Sequence, residues 1–180
     1  MREAITSALN QSYKNIEVIV VNDGSTDEGL TEQVAKSFGD KIRYFSQENG
    51  GCGSALNCGV NVMKGEYFSW LSHDDLYTPN KVESQIKHLS TLVDKNTIVY
   101  SGFELVTDQL VKKETFLPHE LTNAKNLNNS LMPVLQGLIH GCTLLIPKKL
   151  FDEIGQFDVT RRTTQDYALW FDFFRSTPVS

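Results

Sequence analysis

Ile16-Glu17-Val18-Ile19-Val20-Val21-Asn22-Asp23-Gly24-Ser25-Thr26-Asp27 is the segment on which the fold turns. Its first half is a nearly unbroken β-branched apolar run, the pattern of a strand buried on both faces of a parallel sheet. Its second half breaks that run with turn and capping residues, and a helix is expected to follow to about Phe38. The alternation continues on both sides. Residues 2–11 read as a helix, with Ala4, Ile5, Ala8 and Leu9 on one face. Residues 41–46 read as a strand, Asn49-Gly50-Gly51 as a turn and residues 53–63 as a helix stopped by Gly65. Another strand is expected at 67–71, a helix from near Pro79, where proline suits the first turn, and a strand at 97–106. Residues 142–146 form a further apolar strand, Pro147-Lys148-Lys149 opens a short helix and residues 166–174 form an aromatic-rich one. The stretch 107–136 is less regular, because Asn123, Asn126, Asn128 and Asn129 weaken any helix there. The expected class is α/β, a Rossmann-like three-layer α/β/α arrangement around a mainly parallel, doubly wound sheet.

Bulk properties narrow the partners. The chain has 180 residues, 40% hydrophobic and 22% charged, as in an ordinary globular domain. A net charge of −5 with no long basic run argues against a nucleic-acid groove. No stretch approaches the roughly 18 apolar residues of a membrane span, and residues 1–5 lack the apolar core of a signal peptide. Three cysteines, Cys52, Cys58 and Cys142, form no CxxC pair. A reduced, cytoplasmic setting is the expectation, with a peripheral place at the inner face of the membrane as a variant.

Two acidic groups fall at the carboxyl ends of expected strands, where open α/β sheets bind ligands. Asp23 follows the first strand; Asp74 and Asp75 follow the third. Asp23 on its own also reads as a turn aspartate and helix cap, and Asp74-Asp75 as a solvated loop. Adjacent carboxylates repel unless something positive joins them, and a hard divalent cation is a natural partner.

Taken in order, a set of segments resembles glycosyltransferase family 2. Asn10-Gln11-Ser12-Tyr13 and Glu17 to Asp27 are similar to its opening. Glu48-Asn49-Gly50-Gly51, then Ala55, Asn57 and Gly59, then Lys64-Gly65-Glu66-Tyr67 follow its order. Trp70-Leu71-Ser72-His73-Asp74-Asp75, ending at Pro79, resembles its acidic metal motif. Gly155-Gln156-Phe157-Asp158 and Gln165-Asp166-Tyr167-Ala168-Leu169-Trp170 resemble its distal signature. No single match is specific, but the set is. The chain departs from the family at Ser72, where an aspartate is common, at Leu56, where an arginine is common, and at Gln165, where a glutamate is common.

The resemblance implies a GT-A fold, a nucleoside-diphosphate-sugar donor (UDP-, GDP- or TDP-linked), a Mg2+ or Mn2+ ion and inversion at the anomeric carbon. It implies that Asp23, with Gly24, Ser25, Asn49, Gly51 and Asn57, holds the nucleotide. Asp74 would touch the ribose or sugar, Asp75 would ligate the metal, and Asp166 would be the general base. An acidic protein that holds an anionic diphosphate needs a cation between the two. His140 is a candidate for the acceptor side or a plain loop histidine. Trp170 reads first as core and second as a lining of the acceptor cleft. Acceptors in such a family include sugars, lipid-linked carriers and glycans. Residues 1–180 would form one catalytic domain, with 1–106 as the donor half and 107–180 as the acceptor half.

Two other readings stand beside this one: a degenerate domain that binds nucleotide without turnover, and a Mg-dependent phosphotransferase. The second lacks the further carboxylate expected two residues after Asp23, where Gly24-Ser25 stands instead. A dinucleotide-binding protein is disfavoured because no GxGxxG follows the first strand. The chain opens on a helix, whereas a doubly wound sheet usually opens on a strand, as the resembled family does. It also stops just after the helix bearing Asp166. A fragment of a longer product, weakly active or poorly soluble by itself, is therefore the expectation.

Overall fold

In the computed structural model, residues 1–107, 109–123 and 127–180 are described. Asn126, one of the crowded asparagines, lies outside them. The apolar spacing of the first segment produces α1 (Arg2–Leu9), which buries Ala4 and Ile5. The β-branched run gives β1 (Ile19–Asp23). Asp27 then starts α2 (Leu30–Lys36): its Oδ2 accepts the Thr31 backbone N–H at 2.9 Å and the Thr31 hydroxyl at 2.6 Å. Next come β2 (Arg43–Gln47), α3 (Cys52–Val62), β3 (Tyr67–Phe68) and α4 (Lys81–Thr91). β4 (Val99–Tyr100) precedes a hairpin of β5 (Phe103–Val106) and β6 (Lys112–Phe116). Two short helices, α5 (Pro118–Leu121) and α6 (Met132–Leu135), lead to β7 (Leu144–Pro147), α7 (Lys148–Glu153) and α8 (Gln165–Ser176).

β1 and β2 pair in parallel, with Ile19 opposite Arg43 and Asp23 opposite Gln47. Beyond this pair, β7 brings antiparallel pairing into the layer. β7 lies between β3 and β4 and runs antiparallel to both. The crossover through α4 makes β3 and β4 parallel to each other, and β7 enters between them from the opposite end. The expected strand 97–106 is two strands, because the chain leaves β7 after Tyr100 and turns into the β5–β6 hairpin.

All four residues of β7 are buried. Leu144 and Ile146 join Val60, Ile98, Ile139, Phe151, Phe157, Trp170 and Phe173 in the main core, and Leu145 packs with Leu89 and Val99 in another cluster. The aromatic load of α8 is part of that core: Trp170 meets Phe157 edge-on at 5.7 Å, and Phe173 meets Phe151 at 5.1 Å. Trp170 is 1% exposed and sits in this core. Burying an indole among aromatic rings outweighs presenting it to solvent. A smaller cluster joins Ile5, Ala35 and Ile42 to Val18 and Val20.

Candidate active site

Parallel pairing in register puts Asp23 and Gln47 side by side at the carboxyl ends of β1 and β2. The Gln47 amide donates to Asp23 Oδ1 at 2.7 Å and to Ser54 Oγ at 2.9 Å; the Gly50 backbone N–H donates to the same Oδ1 at 3.0 Å. Both of these bonds to Asp23 fall on one oxygen, Oδ1. Gly24 has φ +69°, and a Cβ there would stand 2.7 Å from the Asn49 backbone nitrogen. Glycine is therefore required where the two loops touch. Ser25 and Asn49 are exposed beside it, and the Ser25 backbone N–H donates to Asn22 Oδ1 at 2.9 Å.

Gly51 leads into α3, whose first residue is Cys52. Burial raises its thiol above the ordinary range, the Asp166 carboxylate adds to the rise, and Asp23 adds a smaller part; the Gln165 side chain hydrogen-bonds it. The first turn of α3 also approaches α8: a Cβ at Gly53 would stand 3.5 Å from Gln165 Cγ. Asp166 is half-buried in the first turn of α8, and Gln165 beside it is buried. Sequence reasoning missed Gln47. The signal for Gln47 was present: two matched strands that both end on a polar residue.

A second group forms where β3 runs out. Asp74 is exposed, and its Oδ1 lies 3.8 Å from His73 Nδ1. Burial pushes the half-buried Asp75 carboxyl above its usual range, and the neighbouring Asp74 adds to this. Cys142 opposes it with a hydrogen bond, followed by weaker attraction from His140 and His73. The Cys142 thiol is pushed up to about 11, first by burial and then by Asp75. His140 is exposed, with its ring edge-on to Phe103 at 4.5 Å. The 140–143 loop reaches Asp75 because Gly141 lies under the Trp70 ring, with no room for a Cβ. Gly141→Ala should cost about 1–3 kcal/mol of stability through overpacking. A denaturant midpoint unchanged from wild type would show that this contact is not tight.

Asn57 Nδ2 donates to the Phe157 carbonyl at 2.9 Å, and the Phe157 N–H donates back to Asn57 Oδ1 at 2.9 Å. Its carboxamide acts as a strut between α3 and the Phe157 loop. Buried Lys81, whose ammonium is depressed to about 7 by burial, donates to Ser69 Oγ at 2.6 Å and to the Leu144 carbonyl at 3.2 Å. It ties the end of β3 to β7, beneath the Asp75 loop.

No group of three metal-ligating side chains exists among the described residues. A cation at Asp75 would therefore draw its other ligands from diphosphate oxygens and water, a common arrangement for Mg2+. The raised Asp75 carboxyl, crowded by Asp74, fits a position that a cation would relieve. No helix among the described residues is long and apolar enough to cross a membrane.

An uncharacterised glycosyltransferase of Rickettsia bellii is 63% identical over 179 residues, covering 97% of this chain and 25% of that protein. The chain spans from 25% to 56% of the lengths of the Rickettsia relatives it matches. Among solved structures, S. aureus TarS 1–349 in complex with UDP superposes with a TM-score of 0.73 at 16% identity, covering 99% of this chain and 53% of that one. A mannosyltransferase from Pyrobaculum calidifontis in complex with GDP-Man and Mn2+ superposes with a TM-score of 0.61 at 18% identity, covering 93% and 46%. The fold is therefore that of the GT-A glycosyltransferases. With the family model for glycosyl transferase family 2 matching residues 1–155, the chain belongs to that family.

Proposed function

We propose that this chain is the donor-binding part of an inverting glycosyltransferase that moves a sugar from a nucleoside diphosphate to an acceptor hydroxyl. The observation that carries the reading is the start of α3: the Gly50 N–H just before it donates to Asp23 Oδ1 at 3.0 Å, and a Cβ at Gly53 in its first turn would stand 3.5 Å from Cγ of Gln165, the neighbour of Asp166. A nucleotide held at Asp23 brings its sugar toward the carboxylate that takes the proton. Asp23 Oδ2 accepts an N–H from the base, as a carboxylate does from uracil or guanine. Gly24, Ser25, Asn49 and Gly51 shape the loops around the nucleotide. Asp74 meets the ribose or sugar.

Asp166 accepts the acceptor's proton as its oxygen attacks the anomeric carbon. The carbon–oxygen bond to the diphosphate breaks on the opposite face, and the leaving group departs with the bonding pair. Asp75 would hold a Mg2+ or Mn2+ ion, which supplies Lewis-acid stabilisation of the departing diphosphate. Residues 1–106 serve the donor and residues 107–180 the acceptor, a sugar, lipid-linked or glycan hydroxyl that reaches the site past His140. Polysaccharide or glycoconjugate synthesis in the cytoplasm is the corresponding setting. The mannosyltransferase structure with GDP-Man and Mn2+ and the UDP complex support a nucleotide-sugar donor with a divalent ion.

Calorimetric titration of wild type and Asp23→Ala with UDP, GDP and TDP tests the nucleotide end. The variant should bind more weakly and discriminate less among the three bases. An equal loss for all three would assign Asp23 to holding the loop alone.

A further inference from the structure

The segment Asn10-Gln11-Ser12-Tyr13 lies outside the candidate active site, yet Gln11 is 1% exposed and both polar atoms of its amide are bonded. Nε2 donates to the Ser7 carbonyl at 3.1 Å and to the Thr78 carbonyl at 2.8 Å. Oε1 accepts the Val82 N–H at 3.0 Å, one of the donors that the first turn of α4 leaves free. The Ser12 N–H donates to the Pro79 carbonyl at 2.8 Å, and the Tyr77 N–H to Ser7 Oγ at 3.1 Å. The end of α1 therefore holds the chain where it leaves the acidic loop and enters α4.

Tyr77 joins that exit to the entry. Its hydroxyl donates to the Trp70 carbonyl at 2.7 Å and lies 2.8 Å from Ser69 Oγ. Ser69 Oγ accepts from Lys81 Nζ at 2.6 Å and donates to the Leu144 carbonyl of β7 at 3.0 Å. Lys81 Nζ stands 4.2 Å from the centre of the Tyr77 ring, a cation–π contact. Trp70 and Tyr77 flank residues 71–76, the loop that carries Asp74 and Asp75. One phenol thus bridges the two ends of the acidic loop, with the entry fastened to β7 and the exit to α1. A phenylalanine would pack the same ring, so what the oxygen adds is the bridge. Adjacent carboxylates repel, and Asp75 is both desolvated and crowded by Asp74. A loop with free ends would relax by opening and carrying the two apart. A bridged neck resists this and keeps the carboxylates where a cation meets them, without reordering the loop.

We propose that Tyr77 is a positioning residue for the divalent cation: by bonding the Trp70 carbonyl, its hydroxyl closes the acidic loop and holds Asp75 ready to meet an ion on a diphosphate. Tyr77 touches neither ion nor nucleotide and acts through Asp75. The inference rests on the proposed metal role of Asp75 and adds the group that sets how tightly the cation is held.

The test titrates UDP, GDP and TDP into the full chain over a series of Mn2+ concentrations. Wild type is compared with Tyr77→Phe, with Ser7→Ala and with a control, Tyr100→Phe, which loses a hydroxyl bonded to the Leu127 carbonyl at 3.2 Å. Tyr77→Phe should raise the Mn2+ concentration for half-maximal binding by about tenfold, the lower end of what losing a supporting partner of a metal costs. Nucleotide affinity without Mn2+ should stay that of wild type. In the Mn2+-free variant the Asp75 amide, which donates to the Ser72 carbonyl at 3.2 Å, should exchange its hydrogen faster than in wild type. Ser7→Ala should shift the Mn2+ requirement the same way by a smaller factor, and it carries the test if Tyr77→Phe does not fold. Tyr100→Phe should shift neither quantity. A wild-type Mn2+ requirement in Tyr77→Phe, or an equal shift in Tyr100→Phe, would overturn the inference and leave Asp75 as the ligand. Wild-type binding that ignores Mn2+ would instead overturn the metal role of Asp75, and the inference with it.

Discussion

Asp166→Asn should lower sugar transfer by roughly two to four orders of magnitude, the range that a positioned general base supplies. Nucleotide affinity should stay near that of wild type. The substitution keeps size and hydrogen bonding and removes only the capacity to take a proton. Asp166 is half-buried in the first turn of α8, one residue from buried Gln165, so the fold has little reason to respond. Single-turnover transfer beside calorimetric binding separates the possibilities. Near-normal transfer would move the base elsewhere, and lost nucleotide binding in a folded variant would make Asp166 a donor ligand.

The second large effect is expected at Asp75. Asp75→Ala, or chelation of divalent ions from wild type, should weaken nucleoside-diphosphate binding by at least the roughly 10–100-fold that losing a mere supporting partner of a metal costs. Unchanged affinity in both experiments would remove the metal from the account. The direction of the Asp75 shift gives a companion result. Its carboxyl is raised in the fold by burial and by Asp74. Ionisation therefore costs the folded state more than the unfolded one. The free protein loses stability as pH rises from the unfolded value through the higher folded one, and the loss is complete above it. Asp75→Asn should thus raise the Tm at neutral pH, and the gain should vanish in acid, where both states protonate the wild-type group. A gain that persists in acid would mean a packing effect.

The parts of the fold readable from sequence were those set by local chemistry. The β-branched run before Asn22 had no good alternative to a strand, and Gly24 marked a backbone with positive φ. Helix ends at Gly51 and near Pro79 followed from the same residue-level rules. The antiparallel place of β7 was not readable, because Leu144-Leu145-Ile146 carries no mark of direction or neighbour. Long-range contacts were hidden for the same reason. Asn57 clamps Phe157 a hundred residues away, and nothing around Asn57 reveals whether its amide meets a ligand or a backbone. Cys142 reaches Asp75 only because Gly141 lets the Trp70 ring lie flat on the chain. A small residue beside a half-buried thiol is a weak signal that gains meaning once Trp70 is placed.

The central claim is that this chain handles a nucleotide sugar through Asp23, Asp75 and Asp166. Its most direct test is release of nucleoside diphosphate from a panel of UDP-, GDP- and TDP-linked sugars, with the full chain, with and without Mn2+. The account predicts release from donors of one base above the others, dependent on the cation, abolished by chelation and reduced in Asp75→Ala. Release that is indifferent to base and cation, or no release above the protein-free blank from a chain that circular dichroism reports as folded, would contradict it.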